Sequence, residues 1–207
     1  MSTDLKASVA LTCTLRQEPA AIRLSYAVKN WSGAPVGLFN RIQTVHLDGR
    51  PNLSPHLVYV DFVDGVLELA KRVLPLPDDL MVTGRRLPHV TRLEAGQEFQ
   101  ENLVVPVPVA VNQPYRHGLL ASKNPGGDVV ADKPVQAHTV LLSLGVFPIT
   151  AEIKLTPVSP AYPQIFRLWP PGSAVAGQVV LTHRAKMAAP LMVHDYRVVP
   201  APEKSNH

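Results

Sequence analysis

The chain has 207 residues, 46% of them hydrophobic and 17% charged, with a formal net charge of +4. That composition supports a packed core and excludes global disorder, and a basic excess this small, with no aromatic-studded basic stripe, argues against nucleic acid as a partner. The single cysteine, Cys13, excludes an internal disulfide and a cysteine-based zinc site, and no apolar run is long enough to span a bilayer.

Proline accounts for 21 residues, roughly twice average usage. It interrupts helices and central strands but suits turns and edges. Together with abundant Val and Leu, it predicts short strands joined by many loops. At the start, Lys6 and the run over 7–11 could pass for a short secretory signal. However, Thr12, Thr14 and Arg16 alternate with Leu11, Cys13 and Leu15, and no small-residue cleavage pattern follows. The stretch therefore reads as a strand, in a soluble, cytoplasmic protein. Asn30-Trp31-Ser32 and Asn52-Leu53-Ser54 match glycosylation sequons. Without a secretory signal they read as turn residues.

Val9, Leu11, Cys13 and Leu15 alternate with polar or small residues, and Ile22, Leu24, Tyr26 and Val28 do the same after a Gln-Glu-Pro turn. A hairpin centred between Glu18 and Pro19 sets Leu15 against Ile22 and Cys13 against Leu24, with all eight residues on one face. A turn over 30–35 follows, then a strand from 36 to about 47 and an Asp-Gly bend at 48–49. Asp64-Gly65, between apolar stretches 57–63 and 66–74, predicts a second hairpin that pairs Phe62 with Leu67 and Val60 with Leu69. It also sets Asp61 against Glu68, which is unfavourable for two ionised carboxylates. A helical reading stays open here, because Val66, Leu69, Ala70, Val73 and Leu74 follow i, i+3, i+4 spacing behind Asp64.

Residues 75–88 read as loop, and 90–93 and 99–109 as strands around Glu94-Ala95-Gly96-Gln97. Pro106 and Pro108, two apart, predict an edge or a strand leaving its sheet. Residues 110–137, with Asn112, Pro114, Asn124-Pro125-Gly126-Gly127 and Pro134, read as one long loop. Strand character returns at 139–146 and 151–158. Residues 179–186 and 191–199 then read as a C-terminal hairpin centred near Ala188, which sets His183 against His194. The polar tail over 201–207 reads as frayed.

No phosphate-binding glycine loop, paired-cysteine pattern, His-Glu-x-x-His helix or Gly-x-Ser-x-Gly elbow is present. No cofactor and no catalytic residue are therefore expected. His183 and His194 could supply two ligands of a metal site, but a third is missing, since Asp195 points to the opposite face. The plainer reading is a pair of half-buried packing histidines. Asp61 and Glu68 could share a proton as an acid–base pair, or stand as two solvated carboxylates. Cys13, on the apolar face of its strand, reads as a small buried hydrophobe. Tyr115-Arg116-His117 puts an aromatic, a cation and an imidazole on the long loop, where binding residues concentrate. Trp31 and Trp169 fall in turns, and an exposed tryptophan there would strengthen a binding reading.

Ile22-Arg23-Leu24-Ser25-Tyr26-Ala27-Val28-Lys29-Asn30, followed by Gly33-Ala34-Pro35-Val36, resembles the second strand and turn of bacterial immunoglobulin-like domains. Leu93-Glu94-Ala95-Gly96-Gln97-Glu98-Phe99 is similar to the turn before a later strand of those domains. The bacterial intracellular proteinase inhibitor family shows this pairing. The resemblance spans 22–103 and implies a fold, not an activity. This chain departs from that family by its long middle loop and extra C-terminal strands, so no inhibitory residue is carried over.

The expectation is an all-β, antiparallel immunoglobulin/fibronectin III-like sandwich as a single domain over 1–200, with long loops and a C-terminal hairpin. Its expected role is a non-catalytic binding or protein-interaction module. Tyr115, Arg116, His117 and Trp31 would be its contact residues, and another protein its partner. The alternatives are a protease inhibitor presenting the long loop as an extended segment, a metal-dependent enzyme using His183 and His194, and self-assembly through open sheet edges.

Overall fold

Period-two alternation runs through most of the sequence, and strands are what it produces. The computed structural model describes residues 5–45, 51–78, 85–123 and 128–199. A short helix, α1 (Leu5–Ser8), leads into β1 (Val9–Gln17), β2 (Ala21–Asn30), β3 (Val36–Arg41), β4 (Thr44–Val45) and β5 (Pro51–Asn52). Then come β6 (Tyr59–Val63), β7 (Val66–Lys71), β8 (His89–Leu93), β9 (Glu98–Pro106) and β10 (Val109–Ala110). The chain continues through α2 (Arg116–Lys123), β11 (Asp128–Pro148), β12 (Lys154–Pro157), β13 (Phe166–Trp169), α3 (Pro171–Ala176) and β14 (Val179–Val199). The fold is thus all-β in class. Among the described residues no helix is long and apolar enough to cross a membrane. The 201–207 tail lies outside the described residues.

β1, β2 and β9 form a three-stranded sheet, and a nine-stranded sheet runs β10-β14-β11-β3-β8-β13-β12, with β7 on β11 and β6 on β7. β11 is long enough to take two strands end to end on one side: β7 pairs with 139–144 and β3 with 145–148. Ile22, Leu24, Val28 and Leu103 of the small sheet share one buried cluster with Leu38, Leu67, Leu69, Leu142 and Leu144 of the large one. Each fully buried Leu or Ile there contributes roughly 1.5–3 kcal/mol relative to exposure. Phe39 and Phe147 face the other way, their rings 4.7 Å apart, in a second cluster with Val90, Ile153 and Ala174 of α3. The middle of the large sheet is therefore covered on both faces. Gly37 is required there, because a Cβ at that position would lie 2.2 Å from the Phe147 ring.

The first hairpin keeps its predicted face but not its predicted pairs. Leu15 stands opposite Leu24, Cys13 opposite Tyr26 and Leu11 opposite Val28, a shift of two residues. A two-residue shift preserves every inward side chain, so periodicity cannot detect it. The turn chemistry decides: Glu18 N–H donates to Ala21 O at 2.8 Å, which places Pro19 where its fixed φ suits a β-turn.

The second hairpin is as expected. Phe62 faces Leu67, Val60 faces Leu69 and Asp61 faces Glu68. Asp64 (φ 49°) and Gly65 (φ 77°) both take the left-handed region that this turn demands. Residues 66–71 are strand, not helix. β9 ends at Pro106, and the chain leaves the small sheet to pair, as β10, with β14 of the large one.

Three further expectations fail. The strands are not all antiparallel, because β7 runs parallel to β11 and β10 parallel to β14. Residues 110–137 are not one long loop: 116–123 are helical and 128–137 belong to β11. The C-terminal hairpin is absent as well, because 179–199 run as one strand against β11. Ala137 pairs with Leu191 and Thr139 with Lys186, so residues 187–190 bulge opposite His138 alone. Met187-Ala188-Ala189-Pro190 contains no Gly or Asn to supply the positive φ of a tight reversal, and the chain bends without turning back.

Candidate functional site

Two of the predicted contact residues of the middle segment, Tyr115 and Arg116, point inward. Gln113 Oε1 accepts the N–H groups of Tyr115 (2.6 Å) and Arg116 (2.5 Å), capping the start of α2. Tyr115 is 4% exposed, and its hydroxyl accepts Arg86 N–H at 3.0 Å. Arg116 donates to Asp61 Oδ1 (2.5 Å), Phe62 O (2.9 Å) and Asp195 Oδ2 (2.6 Å). It is an internal tie between β6 and β14 and not a surface anchor. His117 stands in the same helix, and its side chain lies outside the described residues. The inhibitor reading also loses the extended loop it needed.

The histidine pair is overturned too. His183 and His194 lie eleven positions apart on one strand, on the order of 30 Å at ~3.3 Å per residue, instead of facing each other. Among the described residues, no group of three or more His, Cys, Asp or Glu is placed to hold a metal ion. Asp61 and Glu68 do stand opposite each other, but each has its own cation. Asp61 takes Arg116, while Glu68 takes Arg72 at 3.0 Å and the Ser143 hydroxyl. Salt bridges of this kind remove the need for a shared proton.

Burial pushes the Cys13 thiol up to about 11, which makes it a poor nucleophile. The small sheet contributes one inward carboxylate, Glu101, whose side chain is 5% exposed. It receives Lys71 Nζ at 2.5 Å, the Arg41 guanidinium, and the Tyr26 hydroxyl at 2.5 Å. Lys71 also donates to Pro55 O and is fully buried. Burial lowers the Lys71 ammonium to about 8, against the pull of Glu101. Burial and the adjacent Glu101 charge raise Tyr26 well above its ordinary value. These groups join the sheets internally and present no reactive atom to a ligand.

Both tryptophans face outward: Trp169, 70% exposed at the end of β13 and not in a turn, and Trp31, 68% exposed. The Trp31 turn is held by Asn30, which is completely buried. Asn30 Nδ2 donates to the carbonyls of Ala34, Leu93 and Glu94, and its Oδ1 accepts from Ser32 N–H and the Ser32 hydroxyl. Asn30 therefore works as a turn residue and is closed to glycosylation. Its backbone bonds with Gln97 and Gly96 fasten this turn to the β8–β9 turn. Lys29 Nζ sits 4.9 Å from the Trp31 ring centroid. A cleft of about 390 Å³ starts at Gln97 and Glu98, with Arg92, Glu94, Phe99 and Phe166 also in its wall. Glu98 is the cross-strand partner of Lys29. An exposed indole, a cation and a mixed-charge cleft thus meet at one end of the sheets. The sequence singled out Trp31 and read Asn30 as a turn residue, but not its bonds to the Leu93 and Glu94 carbonyls. A short amide at the end of an alternating strand, followed by Ser two residues on, was the available signal.

The chain matches no family model, no curated protein and no solved structure.

Proposed function

We propose that the protein is a non-catalytic protein-interaction module on an immunoglobulin-like sandwich, with Trp31 as its contact anchor. The observation that carries this reading is an indole 68% exposed on a turn that a fully buried Asn30 holds rigid. A large aromatic held open needs no reordering before it binds, and such residues dominate interface energetics. Covering the exposed part of an indole is worth roughly 3–4 kcal/mol gross at about 25 cal/mol per Å². The lone cysteine supports a cytoplasmic setting.

The test compares wild type with Trp31→Ala. The variant should melt at an unchanged temperature, because the side chain packs little. It should bind the partner captured by the wild type at least ~30-fold more weakly, the scale of an interface hot spot. Unchanged affinity for that partner would show that Trp31 is not the anchor. Failure of the wild type to capture any partner specifically would remove the module reading itself.

A further inference from the structure

A strand edge offers a row of N–H and C=O groups to any passing strand, so proteins blunt their edges with proline, charge, bulges or covering side chains. The β6 edge is covered. Asn112 Oδ1 accepts Val60 N–H at 2.5 Å, Asn112 Nδ2 donates to Val58 O at 3.1 Å, and Arg116 donates to Phe62 O. β9 ends in Pro106, and His56 Nδ1 accepts its Val104 N–H at 3.3 Å. β12 ends in Pro157, and β14 carries Arg184 and Lys186 along its first half. β1 is engaged at its end, where Gln17 Nε2 donates to Ala189 O and Gln17 Oε1 accepts Ala189 N–H, both at 3.2 Å, but the rest of its length differs from these edges among the described residues. From Val9 to Leu15 it holds no proline, no charge and no bulge, and it pairs with β2 through nine consecutive residues.

Trp31 N–H donates to Ser8 O and Glu18 N–H to Ala21 O, so the even-numbered residues of β1 turn their backbone groups toward β2. Val9, Leu11, Cys13, Leu15 and Gln17 therefore turn theirs outward. We propose that this edge pairs with the same edge of a second copy, antiparallel about a two-fold axis at Cys13. The two three-stranded sheets then become one six-stranded sheet.

Self-complementarity selects a second copy as the occupant. Centring on Cys13 pairs all nine residues of the strand. Leu11 meets Leu15, Thr12 meets Thr14 and Ala10 meets Arg16, so no like charges oppose. Centring on Leu11 would set the second half of the strand, from Thr14 to Gln17, against helix α1, which cannot continue the ladder. Centring on Leu15 would bring Pro19, which has no N–H to give, opposite Leu11.

Thr12 and Thr14 lie exposed on the outer face, so they can be changed without touching the core. Size-exclusion chromatography with light scattering, over a dilution series, reads the mass against the 22.5 kDa of one chain. The wild type should run at twice that mass. Thr12→Lys/Thr14→Lys sets two pairs of like charges across the axis and should raise the dimer dissociation constant at least ~10-fold. Thr12→Lys/Thr14→Glu makes the same two pairs opposite in sign and should recover the dimer. Circular dichroism melts check that both variants remain folded. A wild type that stays at 22.5 kDa up to about 200 µM overturns the proposal, whatever else the edge receives. So does a dimer that the Lys/Lys variant leaves unchanged, or one that the Lys/Glu variant fails to recover.

Discussion

Glu101→Gln keeps the shape of the side chain and removes the carboxylate on which Lys71 and Arg41 converge. The two cations respond differently. Burial lowers the Lys71 ammonium to about 8, so at pH 7 the folded protein can shed its proton for roughly 1 kcal/mol, and that caps the Lys71 share of the loss. Arg41 cannot shed a proton. Its side chain is 15% exposed and loses a charged hydrogen bond, worth about 1.5–3 kcal/mol. The expected penalty at pH 7 is then about 3–4 kcal/mol. At pH 9 the wild-type Lys71 is itself mostly neutral, and the penalty should shrink by roughly 1 kcal/mol. Urea denaturation of wild type and variant at both pH values measures this difference. A penalty below about 1 kcal/mol at pH 7, or one identical at the two pH values, refutes a buried ammonium held by Glu101.

The wild-type pH profile follows from the same groups. Lys71 is lowered by folding, so the unfolded chain binds more protons from pH 8 to 10.5 and stability rises there. Cys13 and Tyr26 are raised by folding and act with the opposite sign above pH 9 and pH 10. Thermal melts should rise from pH 8 to 9, level, then fall beyond pH 10, and a steady fall from pH 8 would contradict this. Arg116→Ala leaves Asp61 and Asp195 without their cation and should cost about 2–3 kcal/mol in chemical denaturation. Adding Asp195→Asn should return part of that loss. Asn30→Ala strips the turn of its side-chain bonds and should cost about 2–3 kcal/mol. In a Trp169→Phe background it should also lower the fluorescence anisotropy of Trp31, while unchanged anisotropy would mean that the turn is rigid without Asn30.

Wherever a turn marks its own centre, the register could be read in advance. Asp64-Gly65 marks one centre, and each pair of its hairpin stands where the sequence placed it. Gln17-Glu18-Pro19-Ala20 marks none as clearly, and alternation alone left an error of two residues that moved no side chain to the wrong face. The C-terminal region failed for a different reason. β14 finds its partner in β11, some fifty residues upstream, and alternation reports a face without naming a partner. Two adjacent runs were therefore folded onto each other when both belong to one strand. Tyr115 and Arg116 were misjudged through the same blindness, since their partners Asp61, Arg86 and Asp195 come from three separate parts of the chain.

Glu101 was nonetheless within reach. Phe99, Leu103 and Val105 share its parity in β9, and all point toward the other sheet. A carboxylate at an inward position must either break the strand or meet a cation from the facing layer, because an unpaired buried charge costs several kcal/mol. The facing cations are Arg41 and Lys71, the last residues of β3 and β7, and both strands pack against β11 at that level. The same logic separates structural charge from functional surface throughout the molecule. Arg116, Arg41, Lys71 and Glu68 are engaged inside, whereas Trp31, beside the Lys29 ammonium, and the β1 edge from Val9 to Leu15 expose groups that have no comparable partner among the described residues. A large exposed indole on a rigid turn and an unguarded strand edge both carry a liability to nonspecific association. Their retention in a chain that covers β6 and closes β9 and β12 with proline is accounted for if each receives a partner: a protein surface at Trp31 and a second copy along β1.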